Sequence, residues 1–337
     1  MDRARRRLAV LGSLTVLVVL VLAAQSCSPL QRAARAPSAP PPVNPADFVG
    51  AETCKGCHVE TSERFAHTRM GRLFLRDPRN DHERLACEGC HGPGKAHAEA
   101  PGKGKDSRLV SFMKGDPTPV ETRNAICLTC HQKGEHMFWT GSAHEARDVP
   151  CTGCHTVMTD LSPRAQLAKP TQLETCGTCH LRQRAQQMRS SHMPLREGKM
   201  TCTSCHSPHG SVTPALLKEP SLNDTCYACH AEKRGPFLWE HAPVTDDCTN
   251  CHTPHGSTNP SLLKTRVPLL CQQCHTGDHG AQVNSGANLA GGNVSTVNGL
   301  QQPGAASPRA QVAARACINC HVLVHGSNHP AGAKFQR

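Results

Sequence analysis

The pentapeptide Cys-x-x-Cys-His occurs ten times in this chain, and every cysteine except Cys27 belongs to one of these motifs. Two thiols at this spacing can add across the two vinyl groups of one haem, and the adjacent histidine can then bind the iron as proximal ligand. The pattern therefore predicts ten covalently bound c-type haems. The predicted thioether cysteines are Cys54, Cys57, Cys87, Cys90, Cys127, Cys130, Cys151, Cys154, Cys176, Cys179, Cys202, Cys205, Cys226, Cys229, Cys248, Cys251, Cys271, Cys274, Cys317 and Cys320. The predicted proximal ligands are His58, His91, His131, His155, His180, His206, His230, His252, His275 and His321.

Three other uses of cysteine fit this pattern less well. Zinc sites also combine Cys and His, but ten consecutive identical motifs lack the alternating second half-sites that close a tetrahedron. A disulfide framework gives no reason for a histidine after every second cysteine. Thioredoxin-like redox sites occur singly, at the start of a helix that follows a strand, and no strand-rich pattern surrounds these motifs.

The second axial ligands must come from the twelve histidines outside the motifs. Ten are needed if every iron binds two histidines, so two are spare, and His82 and His136 are chosen because neither has a counterpart elsewhere in the chain. A methionine would raise the potential of its haem, but the supply of histidine makes bis-histidine ligation with low potentials the default. The predicted distal ligands are His67, His97, His144, His192, His209, His241, His255, His279, His325 and His329.

Equivalent positions favour some of these distal ligands. His144 and His241 each lie seven residues before the first cysteine of a motif, and His209 and His255 each lie three residues after a motif histidine. A histidine only three residues beyond the proximal one cannot easily reach the far face of the same haem. We therefore expect it to bind the iron of a neighbouring haem and so to hold two haems close together.

The composition excludes an ordinary hydrophobic core. Only ten of the 337 residues are Phe, Trp or Tyr, whereas Gly and Pro number 27 and 26. At this density of motifs the haems themselves supply the apolar interior. The predicted fold is a multihaem cytochrome c fold that is mostly irregular, with short α-helices and little or no β-structure, arranged as an elongated, two-lobed series of haems.

The net charge of +11 does not indicate a nucleic-acid partner. Loss of residues 1–26 leaves about +8, and each ferric haem brings roughly one negative charge through its two propionates, so the loaded protein is near −2. The basic residues mainly balance propionates.

The N-terminus predicts export. Four arginines precede an apolar run from Leu8 to Ala24, and small polar residues follow it at once, which is typical of a signal peptide over residues 1–27. An uncleaved membrane anchor is the alternative reading, because 17 apolar residues lie at the short end of a bilayer span. Cys27 stands where a bacterial lipoprotein carries its lipid, but Gln25 fits that signal poorly, so lipidation stays open.

The rest of the chain divides by composition and by motif count. Residues 28–50 are rich in Pro and Ala and predict a semi-rigid tether. Five motifs fall in residues 51–190 and five in residues 191–337, which predicts two pentahaem halves, and a Gly/Asn-rich insert at 280–315 predicts a flexible loop. Residues 201–230 resemble residues 247–275, so the second half contains an internal repeat with two motifs in each copy.

Three sequence runs resemble one known family. They are CEGCHGPGKAH at 87–97, CHAEKRGPFLWEHAPVTDDC at 229–248 and INCHVLVHGSNHPAG at 318–332. Through these runs the chain resembles the DmsE/MtrA family of decahaem c-type cytochromes. The resemblance covers essentially residues 50–337. The resemblance implies a periplasmic haem wire with bis-histidine ligation that inserts into an outer-membrane β-barrel porin. It also implies electron exchange with periplasmic and extracellular c-type cytochromes or other redox carriers.

The functional hypothesis is therefore extracellular electron transfer rather than catalysis. The chain is expected in the periplasm and at the outer membrane. A reductase of nitrite, hydroxylamine or a sulfur oxyanion needs an open iron position, often marked by a lysine in place of the motif histidine, and no Cys-x-x-Cys-Lys occurs here. A free periplasmic electron shuttle is the other alternative, because the haem count alone does not distinguish it from a porin-embedded conduit.

Overall fold

The computed structural model describes residues 44–100, 109–275 and 317–336. The described residues from Asp47 onward belong to one compact unit. The predicted signal peptide at 1–27, most of the tether at 28–50 and the insert at 280–315 lie outside the described residues.

Helices in the described residues are short. None is longer than nine residues, because Pro and Gly interrupt the chain so often that a helix cannot continue. The α-helices are Ala51–Cys57, Val59–His67, Arg69–Leu75, Asp81–Arg84, Cys87–His91, Lys95–Glu99, Val120–Leu128, Gln172–Cys176, Leu181–Gln187, Leu222–Tyr227, Ala242–Asp246 and Leu269–Gln272.

Single 3₁₀ turns supply much of the remaining regular structure. Four of them begin at the first cysteine of a motif, so in these motifs the first cysteine starts a 3₁₀ turn and does not lie inside an α-helix. The 3₁₀ turns are Pro45–Asp47, Gly134–Phe138, Glu145–Arg147, Cys151–Gly153, Cys202–Ser204, Pro214–Leu216, Ala231–Lys233, Cys248–Asn250, Pro260–Leu262, Cys317–Asn319 and Gly332–Lys334.

The described part of the chain contains isolated β-bridges but no strand. Three of the bridges join a motif histidine to a leucine, as in His155 with Leu167, His206 with Leu217 and His252 with Leu263. The prediction of short helices with little or no β-structure is confirmed.

Apolar side chains do not form a continuous core within the described residues. The buried apolar residues there are Phe65, Phe74, Ala86, Trp139 and Leu167. Large apolar side chains next to motif histidines are instead exposed, among them Val59, Leu181 and Val322. A haem held by the adjacent histidine would cover them, which fits the expectation that haem replaces the core.

A buried carboxylate orders the segment before the first motif. Glu88, inside the second motif, accepts hydrogen bonds from the backbone N–H groups of Val49, Gly50 and Gly94 at 2.8–3.2 Å. Since a carboxylate can accept several bonds at once, this one side chain joins the two ends of the first two-motif segment.

No helix in the described residues combines the length and the apolarity that crossing a membrane would need.

Candidate haem-binding sites

Each motif folds so that its two thiols and its histidine can reach one haem. In nine motifs the N–H of the histidine donates to the carbonyl of the first cysteine at 2.8–3.1 Å, as in a single helical turn, and the other motif is itself the short helix Cys87–His91. Each of the 20 motif cysteines is half-buried or exposed. This accessibility suits thiols that must add to the vinyl groups of a haem, and in the mature cytochrome these sulfurs are thioethers.

Six motif histidines face a histidine from outside the motifs across a constant gap. The ring centroids are 6.0–6.3 Å apart in every case. If one metal ion binds both rings, the centroid separation is the sum of two metal–nitrogen bonds of about 2.0–2.1 Å and the two distances from nitrogen to ring centroid. This sum is about 6.2 Å. The gap therefore fits one iron between two ring nitrogens. The pairs are His58–His97, His180–His144, His155–His209, His206–His255, His275–His241 and His252–His325.

Five of the six pairs follow two rules of connection, and the sixth joins His97, after the second motif, to the histidine of the first. His144 and His241 precede a pair of motifs and face the histidine of the second motif in that pair. By contrast, His209 and His255 follow a motif histidine closely and face the histidine located two motifs earlier. His325 obeys the second rule, because it follows His321 and faces the histidine of the eighth motif.

Backbone carbonyls fix the orientation of many of these rings. The Nδ1 atoms of His91, His155, His206 and His252 each lie 2.8 Å from a carbonyl oxygen, and that of His321 contacts the carbonyl of Lys334. A carbonyl oxygen can only accept, so Nδ1 carries the proton and Nε2 keeps its lone pair for a metal. Among the facing rings, the Nδ1 atoms of His144 and His241 donate to Pro208 and Val324 at 2.7 and 2.8 Å.

Burial keeps the rings of His209, His255 and His325 neutral. It lowers the pKa of His255 and His325, and together with neighbouring His136 and His155 it lowers the pKa of His209 to about 4. A neutral imidazole is the form that binds iron.

Four predicted distal ligands lie outside the six facing pairs. The ring of His192 is engaged at both nitrogens, with Arg189 O 2.8 Å from Nδ1 and Glu197 Oε1 3.0 Å from Nε2. His67 is exposed at the end of its helix. In His329, also exposed, Nδ1 accepts from the N–H of Ala331 at 3.1 Å. His279 lies outside the described residues.

The two histidines predicted to be spare occupy different environments. His82 packs edge-on against Phe74, with centroids 6.4 Å apart. His136 lies 4.2 Å from His209 and 5.5 Å from His131, at ring angles of 32° and 50°. Neither has the 6.0–6.3 Å separation from a motif histidine that the six facing pairs share.

Consecutive motifs lie next to one another along the whole series. In five gaps the two first cysteines lie close enough for their side chains to interact, and in three others the two second cysteines do. In the remaining gap Cys90 interacts with both cysteines of the third motif. The first-cysteine pairs are Cys54–Cys87, Cys127–Cys151, Cys176–Cys202, Cys226–Cys248 and Cys271–Cys317. The second-cysteine pairs are Cys154–Cys179, Cys205–Cys229 and Cys251–Cys274.

Comparison with known proteins places the chain in a family. A model described as a doubled CXXCH motif matches residues 192–235 and 241–280, and one described as a cytochrome c-type protein, NrfB-like, matches residues 87–179. The chain is also 43% identical over 289 residues to a multiheme cytochrome MtrA from Shewanella baltica (strain OS185), which covers 86% of this chain and 81% of that protein. The chain belongs to the MtrA family of multihaem c-type cytochromes. Its motifs are therefore sites of covalent c-type haem, and its general function is electron transfer.

The two matched doubled-motif segments both begin at a histidine, at His192 and at His241. His192 therefore precedes a pair of motifs as His241 does, although its distance to the next motif is longer by three residues. The counterpart of His275 is then His230, whose Nδ1 lies 3.5 Å from Glu232.

Buried amides join motifs in this MtrA-family chain. Asn124 accepts from the N–H of Cys151 at 2.9 Å and donates to Val149 O at 3.0 Å. Asn223 repeats this arrangement with the N–H of Cys248 and Val244 O. Each asparagine lies three residues before the first cysteine of one motif and binds the first cysteine of the next, so it sets the approach of two first cysteines.

A glutamine performs the same task between the fifth and sixth motifs. Gln172 accepts from the N–H of Thr203 at 3.0 Å and donates to its Oγ1 at 2.9 Å. These three amides serve three of the five gaps in which first cysteines meet. The described residues hold no cluster of three or more His, Cys, Asp or Glu side chains that could bind a metal ion directly.

Proposed function

We propose that this protein binds ten haems and conducts electrons along them in chain order, inside an outer-membrane β-barrel porin. The observation that carries the proposal is the proximity of cysteine side chains from consecutive motifs, which lie close enough to interact in each of the nine gaps between the first motif and the tenth. Because the rate of electron tunnelling decays exponentially with the separation of haem edges, a series without a long gap supports conduction from end to end.

The alternation of contacts supports one continuous series rather than separate pairs. The first cysteine and the second cysteine of a motif attach to different pyrrole rings of the same haem. A motif that meets one neighbour through its first cysteine and the other through its second therefore presents two different edges of its haem. Electrons can then enter at one edge and leave at the other.

Filled coordination positions support electron transfer over catalysis. Six facing pairs provide two histidines for one iron each, and their Nε2 atoms are the free nitrogens wherever Nδ1 donates to a carbonyl. A substrate has no iron position to bind at such a site. We also assign His192 to the iron of His230, from its correspondence with His241.

The porin partner follows from the chemistry of the surface. The chain carries 37 Lys and Arg, and its backbone is mostly irregular. Neither charged side chains nor unpaired backbone groups can face lipid, so a haem series that crosses the bilayer needs a sheath. A closed β-barrel with a polar lumen meets this need. The N-terminal signal and the Pro-rich tether support a periplasmic entry side.

Proteoliposomes that contain an internal redox dye test the proposal. We expect porin plus cytochrome to move electrons across the bilayer much faster than porin alone. A matched variant carries Cys176→Ser and Cys179→Ser, which removes one haem from the middle of the series. It should still assemble with the porin, as judged by co-purification, but should lose most of the transmembrane rate.

Two results would contradict the conduit. Equal rates with and without the cytochrome would exclude transmembrane conduction by this chain. Isolation of the cytochrome from native cells as a free periplasmic protein, without a barrel protein, would favour the electron shuttle.

A further inference from the structure

Three loops that follow motif histidines share one backbone design. The histidines of the fourth, sixth and eighth motifs each direct Nδ1 to a carbonyl oxygen 2.8 Å away, on Ala165, Ala215 and Ser261 respectively. Each also forms a bridge to the leucine two residues beyond that carbonyl. In each loop the residue that carries this carbonyl and the residue after it both have positive φ. The three loops therefore share this backbone arrangement, although the carbonyl lies ten residues after the histidine in the fourth motif and nine residues after it in the sixth and eighth.

The ligand position within these loops holds a methionine in one case. It lies three residues after the motif histidine and is filled by Met158, His209 and His255 in the fourth, sixth and eighth motifs. The side chains of His209 and His255 face the histidine two motifs earlier, at 6.0 Å between ring centroids. By the same connection, the loop of the fourth motif would reach the haem of the second motif, whose histidine is His91.

The surroundings of His91 agree with this connection. Its Nδ1 lies 2.8 Å from Val110 O, so Nε2 is the nitrogen that can bind iron. The ring next to it belongs to Phe112, 5.4 Å away and nearly perpendicular. Phe112 lies two residues beyond the carbonyl, as do Leu167, Leu217 and Leu263 in the other loops, so it occupies their position on the proximal side. If the loop of the fourth motif reaches two motifs back as the loops of the sixth and eighth motifs do, it delivers its side chain to the opposite, distal side.

We propose that Met158 is the second axial ligand of the haem attached at Cys87 and Cys90, which gives that iron His91/Met158 coordination. A thioether sulfur is a good ligand for haem iron and stabilises the ferrous state relative to a second imidazole, so it raises the reduction potential. One haem near the N-terminal end would then hold electrons more strongly than its bis-histidine neighbours. The proposal uses haem binding from the proposed function but does not depend on the porin.

Absorption spectroscopy of the oxidised holoprotein tests the coordination directly. We expect the weak charge-transfer band at the red edge of the visible spectrum that marks ferric haem with an axial thioether, at the intensity of one haem per chain. Met158→His should abolish the band, keep every haem low-spin and move the highest-potential component of a redox titration into the main group. Met158→Ala should convert one haem to a high-spin ferric form in electron paramagnetic resonance.

Two further variants serve as controls. Met188→Leu removes an exposed methionine beside the fifth motif and should leave the band unchanged. His209→Met introduces a thioether at the equivalent position of the sixth motif and should double the band. The ratio of haem to protein, measured for each variant, shows that the holoprotein has formed.

The proposal is wrong if oxidised wild-type protein lacks the band or if Met158→His retains it. It is also wrong if the band survives Cys87→Ser with Cys90→Ser, because the methionine would then bind another iron. The absence of the band would leave transmembrane conduction untouched, and a failure of the proteoliposome experiment would leave the coordination of this haem untouched. The two proposals therefore fail separately.

Discussion

His209 and His155 face each other with their ring centroids 6.0 Å apart and their planes 17° from parallel, although His209 follows the sixth motif and His155 ends the fourth. One iron between them would join two motifs that are not adjacent in the series. His255 and His325 repeat this connection. Ligation therefore ties each even-numbered site from the fourth to the eighth to the loop of the site two positions later.

This connection predicts which histidines are required for low-spin iron. His209→Ala and His255→Ala should each convert one haem to a high-spin form, because each removes one partner of a facing pair. His82→Ala and His136→Ala should leave the low-spin spectrum intact, since neither ring has that separation from a motif histidine. Electron paramagnetic resonance of the oxidised protein measures the outcome. A high-spin signal in His82→Ala or His136→Ala would contradict the assignment.

The angle between facing rings predicts a distinct signal for one haem. His144 and His180 are 72° apart, whereas the rings of the other five pairs are within 13–28° of parallel. Parallel imidazoles split the iron d orbitals that interact with them, and perpendicular ones leave those orbitals nearly equal in energy. We therefore expect a highly anisotropic low-spin signal from the haem of His180, beside rhombic signals from the others. His144→Ala should remove the anisotropic signal, and His255→Ala should remove a rhombic one.

The sequence was sufficient to predict the fold class and the covalent attachment of c-type haem. Thioether attachment depends on residue types at a fixed local spacing, and that spacing is visible in the chain. The partner of a distal histidine depends on how loops far apart in the chain pack together. His209 could be recognised as a candidate from its position after the motif, but that position does not show that it faces His155.

The amides that join motifs were not predicted. Asn124 and Asn223 lie three residues before a cysteine in short helices. From sequence alone, an asparagine at such a position is normally interpreted as a weak helix former or a surface residue. Their equivalent spacing was the available signal. Its meaning depends on the approach of the next motif to the same helix, which local sequence does not specify.

An ion pair near the second motif predicts a dependence of stability on pH. Arg79 donates to the buried carboxylate of Glu83 through its side chain and its backbone N–H, and these bonds lower the pKa of Glu83 to about 2. A carboxyl with a lowered folded-state pKa stabilises the fold above its ordinary pKa of about 4.3 and loses that contribution as the pH falls toward 2. We expect acid unfolding of the wild type to steepen in this window. Glu83→Gln should flatten that part of the curve of thermal midpoint against pH, and an unchanged curve would show that the pair does not contribute.

The two buried asparagines predict effects of substitution on stability and on electron transfer between haems. Asn124→Ala leaves the N–H of Cys151 and the carbonyl of Val149 without their partners, so it should lower the free energy of unfolding by about 1–3 kcal/mol. Asn223→Ala should do the same at Cys248. Asn250→Ala removes an amide that is exposed, and its effect should stay within about 0.5 kcal/mol.

Stability alone does not show that these amides position haems. The first cysteines of the third and fourth motifs meet where Asn124 binds, so its loss should let the two haem edges separate. Electron transfer across that gap should then slow, because tunnelling falls steeply with distance, while the iron ligands and the low-spin spectrum stay unchanged. Stopped-flow reduction of the two asparagine variants, beside Asn250→Ala at a temperature where all are folded, measures this. If Asn124→Ala and Asn223→Ala lose stability but exchange electrons at the wild-type rate, the amides only support the fold and do not set the spacing of the haems.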